Sequence, residues 1–350
     1  MEKFAVIMQS DKGQRIIRNN PVLKLLPEKL ARHFLALLSV QKAGTITDIR
    51  SGETLGYLLD MPGFLSGLKK KKEGNRRKII RSLAQKLKAL NVSILCFSDI
   101  MDYFYEDECL LLEEQGITLL DGFLNRVAGL LLVFNRLLII LEKEIPFFET
   151  GIWGADTFLG RLWAEVMASR VNHMCIGGRD LQKLERLADY IMESTGLSCQ
   201  TTVRPDVCFS SKNFLVEAET LNCLFHAPEP FFHFRFYRGE SRAANTAGTL
   251  YFPVETGWMA GPHNIAISQK LNPWDEPALL DGLYYLVSGA YRESILHRRI
   301  TLEQIKWVYT FYENYQIKPQ GFVQNGEKIH FDQFRRRYFA EISHISLDNG

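Results

Sequence analysis

Two glycines six residues apart enclose the segment of the chain best suited to binding phosphate. The segment reads G-A-D-T-F-L-G, from Gly154 to Gly160. A strand, a tight glycine turn and a helix N-terminus together hold a pyrophosphate, because the backbone can approach it closely and the helix offers free N–H groups. Gly154 suits the turn, and Gly160 suits close packing of the helix on the strand. We predict that a dinucleotide contacts this loop through Gly154, Ala155, Thr157, Phe158 and Gly160.

Two residues of this loop depart from the expected pattern. Thr157 stands where a central glycine is expected, and Asp156 places a negative charge beside it. The Thr157 hydroxyl can cap the helix or donate to a phosphate oxygen, but its Cβ disfavours a positive φ and blocks the closest approach. The Asp156 carboxylate suits a helix N-terminus in an empty site and repels a pyrophosphate. On the loop alone, a working cofactor site and a site that no longer binds are equally supported.

Arg179 is the residue expected to face the adenosine ribose. It lies 25 positions after Gly154, at the end of the next predicted strand. An acidic residue at this place accepts a hydrogen bond from the adenosine ribose 2′-hydroxyl, whereas an arginine accommodates a 2′-phosphate. The sequence therefore predicts NADP(H) rather than NAD(H). It also disfavours a methyltransferase, in which an acidic residue is wanted for the ribose. The alternative is a surface arginine beside Asp180, a predicted helix cap.

A later glycine-rich loop, E-T-G-W-M-A-G-P-H-N, supplies the one tentative catalytic residue, His263. Histidine has an unperturbed pKa near neutrality, so this side chain can act as a general acid toward a carbonyl. The alternative is a loop histidine without a chemical role. Cys223, His226 and His233 lie near one another in the sequence but match no common zinc spacing, so we predict no metal site.

The run L-K-K-K-K-E-G-N-R-R-K, residues 68–78, carries seven cations and one glutamate. A solvated loop is the usual explanation of such a run. The alternative is a surface for an acidic protein partner at Lys69, Lys70, Lys71 and Lys72. No aromatic residues are interleaved with these charges, which disfavours binding of a single-stranded nucleic acid.

Composition indicates an ordinary globular protein. The chain has 350 residues, of which 46% are hydrophobic, and a net charge of +2, so bulk charge names no partner. The most apolar stretch, residues 127–141, is shorter than a membrane span and contains Asn135 and Arg136, so it predicts a buried helix rather than a membrane span. The six cysteines suggest no disulfide framework and the N-terminus resembles no signal peptide, so we expect a cytoplasmic protein.

Strands that alternate with helices predict an α/β fold. We expect an N-terminal α/β domain with a long linking helix over residues 1–145, a Rossmann-type parallel-sheet domain over residues 146–270, and C-terminal helices over residues 271–350 that pack back on the cleft. The predicted strands of the central domain are T-G-I-W, N-H-M-C-I-G-G, S-C-Q-T-T-V and D-V-C-F-S-S, followed by a half-buried strand in F-F-H-F-R-F-Y-R-G. Helices from Pro277 to Gln316 and a polar tail complete the prediction.

Several segments occur in an order that resembles a known family. They are L-G-Y-L-L-D-M-P-G-F-L-S-G, N-V-S-I-L-C-F, the loop G-A-D-T-F-L-G, I-G-G-R-D-L-Q-K-L-E-R-L-A-D-Y-I and E-T-G-W-M-A-G-P. The chain resembles the acyl-(acyl-carrier-protein) reductases, which make long-chain aldehydes, and their relatives, the predicted amino-acid or shikimate dehydrogenases. The resemblance extends from about residue 4 to residue 322 and is faint at individual positions. It implies a central NADP-binding Rossmann domain and C-terminal helices that return over the cleft.

The chain departs from this family at three functional places. The family loop resembles G-A-T-G-x-I-G, whose second glycine is Thr157 here, and the turn after the N-terminal strand is changed to C-F-S-D-I-M-D. The reductases carry a catalytic cysteine in a stretch like A-C-M-A-E-T, and Leu279 stands at that position here. No cysteine follows Cys223, so a thioester intermediate of the family's kind is not expected. The resemblance therefore predicts a diverged relative.

Two functions follow from these residues. The first is an NADP(H)-dependent oxidoreductase that acts on a carbonyl or its alcohol, either as a small molecule or on a carrier. The second is a non-catalytic sensor or protein-interaction module built on the same Rossmann scaffold.

Overall fold

The computed structural model describes residues 2–8, 40–61, 69, 72–141, 149–221, 231–236, 251–288 and 300–338. The chain divides into two compact units whose segments alternate along the sequence. Unit 1 comprises Met1–Asn125, Gly261–Arg298 and Thr310–Ile317, and unit 2 comprises Arg126–Ala260, Arg299–Tyr309 and Lys318–Gly350. The domain boundaries drawn from the sequence, after residues 145 and 270, stay predictions. The apolar and charged residues of L-P-E-K-L-A-R-H-F-L-A-L-L, residues 26–38, also predict an amphipathic helix, but this segment lies outside the described residues.

The described helices and strands are, in chain order, β1 (Lys3–Met8), β2 (Gln41–Asp48), β3 (Thr54–Asp60), α1 (Glu73–Ala89), β4 (Val92–Cys96), α2 (Glu106–Glu113), β5 (Thr118–Leu120), α3 (Phe123–Leu141), β6 (Glu149–Trp153), α4 (Phe158–Ala168), β7 (His173–Gly177), α5 (Leu181–Thr195), β8 (Cys199–Thr202), α6 (Pro205–Phe209), β9 (Phe214–Glu217), β10 (Phe231–Arg235), β11 (Tyr251–Val254), β12 (Thr256–Met259), β13 (Ile265–Ile267), α7 (Glu276–Ser288), α8 (Leu302–Asn314), β14 (Pro319–Gln324) and β15 (Glu327–His330). Both sheets with parallel strands confirm the predicted α/β class.

Unit 1 is built on a mixed sheet in the order β13-β2-β3-β1-β4-β5. The strands β3, β1, β4 and β5 are parallel, whereas β2 and β13 add antiparallel strands at one side. The apolar strand β1 is buried along nearly its whole length, as expected for a parallel strand covered on both faces. Helix α7 lies close to β1 and β4 because Gly282 has no side chain. A Cβ there would come within 2.8 Å of the Cys96 Sγ.

A buried polar chain joins three residues of unit 1 that come from α3, α7 and α8. The carboxylate of Asp281 on α7 accepts hydrogen bonds from the backbone and side-chain amides of Asn125, at 3.1 and 2.5 Å. The Tyr312 hydroxyl donates to the Asn125 side-chain oxygen at 2.7 Å. Burial raises the pKa of the neighbouring Cys96 thiol, and the carboxylates of Asp281 and Asp121 add to this effect. Cys96 is therefore a protonated core residue rather than a nucleophile.

Unit 2 is built on a six-stranded sheet in the order β8-β7-β6-β9-β10-β11, and all its pairings are parallel. Counted from β6, this order is 3-2-1-4-5-6, the strand order of dinucleotide-binding domains. The order reverses between β6 and β9, and ligands of such sheets bind at the carboxyl ends of the strands beside this point. The predicted Rossmann-type domain is confirmed as a fold.

Aromatic side chains fill one face of the unit 2 sheet. The Phe134 ring of α3 contacts the rings of Trp163, Phe214 and Phe234 at centroid distances of 5.6–6.1 Å. Helix α3 is long and apolar enough to cross a membrane, with a mean hydropathy of 1.8, but 67% of its apolar window is buried inside the protein. Its packing is that of a core helix, which agrees with the prediction.

Two predicted elements of unit 2 are wrong. The run D-V-C-F-S-S was expected to be a strand, but Pro205 begins the short helix α6 there, and the strand β9 follows at F-L-V-E. The polar tail expected after Gln316 contains the hairpin β14–β15 instead, which pairs with β12 in a three-stranded antiparallel sheet. The strand β10 was expected to be half-buried. His233 is nevertheless fully buried, and its ring lies 6.1 Å from the Phe209 ring of α6, which covers this face of the sheet.

Candidate dinucleotide site

The loop between β6 and α4 begins with Gly154, whose φ of +83° is a conformation that favours glycine. The amides of Gly154 and Ala155 donate to the carbonyl oxygen of Gly177 at 2.8 and 2.9 Å, which ties the loop to the end of β7. A Cβ at Gly154 would lie 2.8 Å from the Cβ of Glu219, the second residue after β9. The sharp turn predicted at Gly154 is therefore present, with residues from β7 and β9 packed on either side.

Gly160 allows helix α4 to rest directly on this turn. A Cβ at Gly160 would lie 2.1 Å from the carbonyl oxygen of Gly154 and 2.7 Å from the Cα of Ala155. Those neighbours are backbone atoms, which cannot move aside without breaking the turn. The position therefore requires glycine for packing, as its place in the predicted loop implies.

Thr157 is the N-cap of α4, and its backbone is extended, with φ −88°. Its hydroxyl donates to the Gly154 carbonyl oxygen at 2.6 Å and accepts from the Gly160 amide at 3.3 Å. Because φ is negative, the conformational penalty expected from its Cβ does not arise at this position. Threonine thus stabilises the turn and the helix start together.

The first amides of α4 are left for a ligand. Within the described part of the chain, the amides of Phe158 and Leu159 donate no hydrogen bond. Phe158 is exposed, and the amides lie at the positive end of the helix dipole. Free N–H groups at a helix N-terminus, next to a tight glycine turn, are the donors that phosphate oxygens require.

Asp156 points away from α4 toward the start of α5. Its Oδ2 accepts hydrogen bonds from the amides of Arg179 and Asp180, at 2.9 and 3.0 Å. Its Oδ1 is buried without a hydrogen-bond partner and lies in the space that Gly178 leaves open. A Cβ at Gly178 would come within 2.1 Å of this oxygen. The carboxylate therefore occupies a place that the neighbouring loop is shaped to receive.

Arg179 is paired with a carboxylate of the chain itself. Its Nη2 lies 2.8 Å from Oε1 of Glu219, and the Arg179 side chain is 74% exposed while that of Glu219 is 26% exposed. Asp180, the predicted cap, is the N-cap of α5 and accepts from the Lys183 amide at 3.2 Å. This backbone hydrogen bond holds the pKa of Asp180 below its usual range. The Arg179 guanidinium thus pairs with Glu219, while the carboxylates of Asp156 and Asp180 bind backbone amides at the same end of β7.

A second group of titratable side chains lies on β9, β10 and β11. The buried His233 places Nε2 3.1 Å from Oε2 of Glu217 and Nδ1 3.3 Å from the Tyr251 hydroxyl. Burial lowers the pKa of His233, and the hydrogen bond and charge of Glu217 only partly oppose this. Burial alone would raise the pKa of Glu217, but contacts with His233 and the Leu221 amide outweigh it and leave that pKa lowered. The arrangement fits a neutral imidazole that donates to a carboxylate.

The sequence analysis did not connect His233 with Glu217 or Tyr251. The three residues come from separate segments, and only the parallel pairing of β9, β10 and β11 brings them side by side. The predicted catalytic residue, His263, lies instead in the loop between β12 and β13 of the chain and is exposed. Among the described residues it has no hydrogen-bond or ion-pair partner that would orient it. Its role as a general acid stays a prediction.

The remaining predicted positions are placed as follows. Leu279, at the family's cysteine position, is buried in α7. Lys69 donates to the carbonyl oxygen of Met101 at 2.7 Å and lies over the Tyr105 ring, and the exposed Lys72 precedes α1. Lys70, Lys71, Cys223 and His226 lie outside the described residues. The described residues contain no group of three or more His, Cys, Asp or Glu side chains placed to hold a metal ion.

No model of a known protein family matches the chain, and neither does any curated protein. Among solved structures, it is similar to an L-tryptophan dehydrogenase from Nostoc punctiforme at 8% identity, with a TM-score of 0.37 over 90% of this chain and 80% of that one. It is similar to the ligand-free 5-ketofructose reductase of a Gluconobacter strain at 11% identity, with a TM-score of 0.33 over 89% and 99%. It is similar to a shikimate dehydrogenase in complex with NADP+ at 12% identity, with a TM-score of 0.30 over 89% and 96%. At these values the similarities carry no functional argument, and the resemblance to acyl-(acyl-carrier-protein) reductases stays a prediction.

Proposed function

We propose that this protein is an oxidoreductase that uses a nicotinamide dinucleotide to interconvert a carbonyl compound and its alcohol, and that unit 2 holds the dinucleotide. One observation carries the proposal. The free amides of Phe158 and Leu159 lie directly after the glycine turn, at the carboxyl end of β6. This is the edge where a sheet of this strand order binds a dinucleotide.

The residues of the loop fit a pyrophosphate in shape and in charge. Gly154 and Gly160 bring the backbone and the helix close together, and the hydroxyl of Thr157 holds the turn in place. The Asp156 carboxylate is directed to the amides of Arg179 and Asp180, which offsets part of its repulsion toward a pyrophosphate at α4. When bound, the nicotinamide would supply hydride transfer.

The finer predictions concern the cofactor and the substrate. Arg179 supports NADP(H), because its exposed ion pair with Glu219 is weak enough for a phosphate to replace the carboxylate. The negative charges of Asp156, Asp180 and Glu219 disfavour the 2′-phosphate of NADP(H). The substrate would be a small carbonyl compound or one attached to a carrier.

An acidic carrier protein remains a candidate partner for the basic run. Lys72 is exposed at the start of α1, whereas the Lys69 ammonium already binds the Met101 carbonyl. Replacing Lys72 with Gln should weaken binding of an acidic carrier protein by about threefold, because one unit charge at the surface contributes little. If the variant and the wild type bind the carrier protein equally at every salt concentration, Lys72 is not part of a surface for an acidic partner.

Titration of the purified protein with NADH and NADPH, followed by nicotinamide fluorescence, tests the proposed function. We expect saturable binding of at least one dinucleotide in the micromolar range, and its loss in Gly160→Val, because that side chain would break the turn. Gly74→Ala is the matched control, since a Cβ at Gly74 meets nothing within 4 Å. Absence of binding to either dinucleotide by the folded wild-type protein would refute the proposal.

A non-catalytic module is the second candidate, and the surroundings of His263 favour it. This side chain is exposed and has no orienting partner in the described part of the chain, and Leu279 replaces the family's nucleophile. This candidate predicts that dinucleotide binds without turnover of short-chain aldehydes, ketones, 2-oxo acids or acyl thioesters. Oxidation of NADH or NADPH with any of them, lost when the loop is altered, would exclude it.

A further inference from the structure

We propose that Asp156 is a specificity-determining residue that occupies the 2′-phosphate subsite of unit 2, so that the site takes NAD(H) and rejects NADP(H). The inference rests on the proposed function, because it concerns which dinucleotide the same loop binds. It reverses the preference that Arg179 alone predicts.

The donors that a 2′-phosphate needs at the end of β7 are already bound within the chain. The amides of Arg179 and Asp180 donate to Oδ2 of Asp156, and the Arg179 guanidinium pairs with Glu219. A phosphate at this place would have to displace both carboxylates or accept their repulsion. Asp180 adds a third carboxylate, although it caps α5 and lies 3.5 Å from the Lys183 ammonium, which compensates part of its charge.

The two competing carboxylates are held differently. Glu219 is partly exposed, and its pair with Arg179 lies at the surface, where ion pairs exchange readily. Asp156 is held by two backbone amides, and its Oδ1 lies in the space left by Gly178. A ligand can therefore displace Glu219 more easily than Asp156. Asp156 is the lasting source of negative charge at the subsite.

The charge of this carboxylate favours a neutral hydroxyl over a phosphate. Oδ1 of Asp156 is buried against Gly178, so this oxygen is closed to a ligand and the carboxylate acts at the subsite through its charge. A fully ionised 2′-phosphate is repelled by that charge and has no proton to donate, whereas a ribose 2′-hydroxyl is neutral and can donate a hydrogen bond. An acidic group that faces the ribose is the known basis of selection for the bare 2′-hydroxyl. Here that group comes from the phosphate loop rather than from the end of β7.

The experiment compares three proteins by nicotinamide fluorescence with NADH and with NADPH. Asp156→Asn keeps an oxygen that can accept from the two amides and removes the charge. Glu193→Gln is the matched control, because it removes the same charge from an exposed position near the end of α5. We expect the wild type to bind NADH about tenfold more tightly than NADPH, and Asp156→Asn to bind NADPH about tenfold more tightly than the wild type does. NADH affinity should change less than about threefold, and Glu193→Gln should match the wild type.

Each result decides the inference. If dinucleotide binds but Asp156→Asn leaves the ratio of NADPH to NADH affinity unchanged, or if the wild type prefers NADPH, the inference is overturned and the proposed function survives. If neither dinucleotide binds to any of the three folded proteins, both are overturned. If Asp156→Asn fails to fold in a thermal scan, Asp156→Ser takes its place, because it also removes the charge and keeps an oxygen that can accept from an amide. The preference for NADH should then fall in the same direction, and no change would overturn the inference.

Discussion

Helices α4 and α5 start at the same edge of one parallel sheet, and in each the N-cap side chain accepts from the amide three residues on, but the two caps differ in charge. At α4 the hydroxyl of Thr157 caps the helix, and the amides of Phe158 and Leu159 stay free. At α5 two carboxylates bind the backbone, because Asp180 holds the Lys183 amide and Asp156 holds the amides of the preceding turn. One terminus is available to an anion, and the other already has its anion built in.

Residues of one loop stabilise the starts of two helices. Asp156 belongs by sequence to the turn before α4, but its side chain stabilises the turn before α5. A neutral cap leaves the positive end of a helix dipole uncompensated and ready for phosphate, whereas an acidic cap compensates it. With Thr157 and Asp180 as caps, the N-terminus of α4 therefore keeps more positive potential than that of α5.

The largest expected effect on stability comes from disrupting the turn at Gly154, which lies beside the starts of α4 and α5. Gly160→Val places side-chain atoms against the backbone of Gly154 and Ala155, and we expect a loss of about 3 kcal/mol in the free energy of unfolding. Chemical denaturation measures this loss. Gly74→Ala should leave stability unchanged or raise it by up to about 1 kcal/mol. Equal stability of Gly160→Val and the wild type would show that the loop can relax around a side chain.

The two caps give a direct test of the comparison. Thr157→Val and Asp180→Ala each remove an N-cap side chain; Thr157→Val should cost about 1 kcal/mol of unfolding free energy, and Asp180→Ala should also lower stability. Only Thr157→Val should weaken dinucleotide binding by about tenfold or more, since it also releases the turn next to the free amides. Denaturation and fluorescence titration of both variants measure the two effects. Equal losses of binding would show that the two helix ends do not differ in function.

Arg179→Ala should change stability and NADH affinity less than the cap variants do. An exposed ion pair contributes at most about 1 kcal/mol, so we expect nearly unchanged stability. NADH affinity should change less than about threefold, because the carboxylate of Asp156 keeps its two amide donors. Fluorescence titration checks this expectation. A loss of NADPH binding that far exceeds the loss of NADH binding would restore Arg179 as the selector of a 2′-phosphate.

The smallest expected effect is that of low pH, which should weaken the start of α5 but not that of α4. The pKa of Asp180 is lowered in the folded protein, so its stabilising contribution is present above its unfolded pKa and is lost as the pH falls through its folded pKa, below 3.8. Thr157 does not titrate in this range. Amide hydrogen exchange near Lys183 should therefore lose protection between pH 5 and about pH 3, relative to exchange near Gly160. Equal loss of protection at both places would contradict the comparison.

The strands and helices that position the loop could be predicted from the sequence, whereas the side-chain contacts of the loop could not. Strands β6 and β7, helices α4 and α5 and the cap Asp180 follow from local periodicity and cap chemistry, which do not depend on distant residues. The contacts of Asp156 with the amides after β7, and of Arg179 with Glu219, depend on which strands become neighbours. For this reason the sequence analysis placed the charge of Asp156 at α4 and treated Arg179 as free.

Two errors in the fold have local causes. The run D-V-C-F-S-S is short and apolar, and such runs do not distinguish a helix from a strand. Pro205, at the first helical position, was the available signal for α6. Asn325 and Gly326 have positive φ values of 50° and 78° and form the two-residue turn between β14 and β15. An Asn-Gly pair is a strong hairpin signal, so this sheet was predictable and was overlooked.

The late segments that complete both units also set the order in which the chain can fold. The strand β13 covers the outer side of β2 through three antiparallel residue pairs, and β14 pairs with β12 about sixty residues upstream. During synthesis, a nascent chain that ends before residue 265 leaves the backbone of β2 exposed as an unpaired strand edge, which favours pairing with another chain. The edge of β2 is therefore exposed until β13 has been synthesised, and a chain shortened to end before residue 265 should aggregate more readily than the full chain.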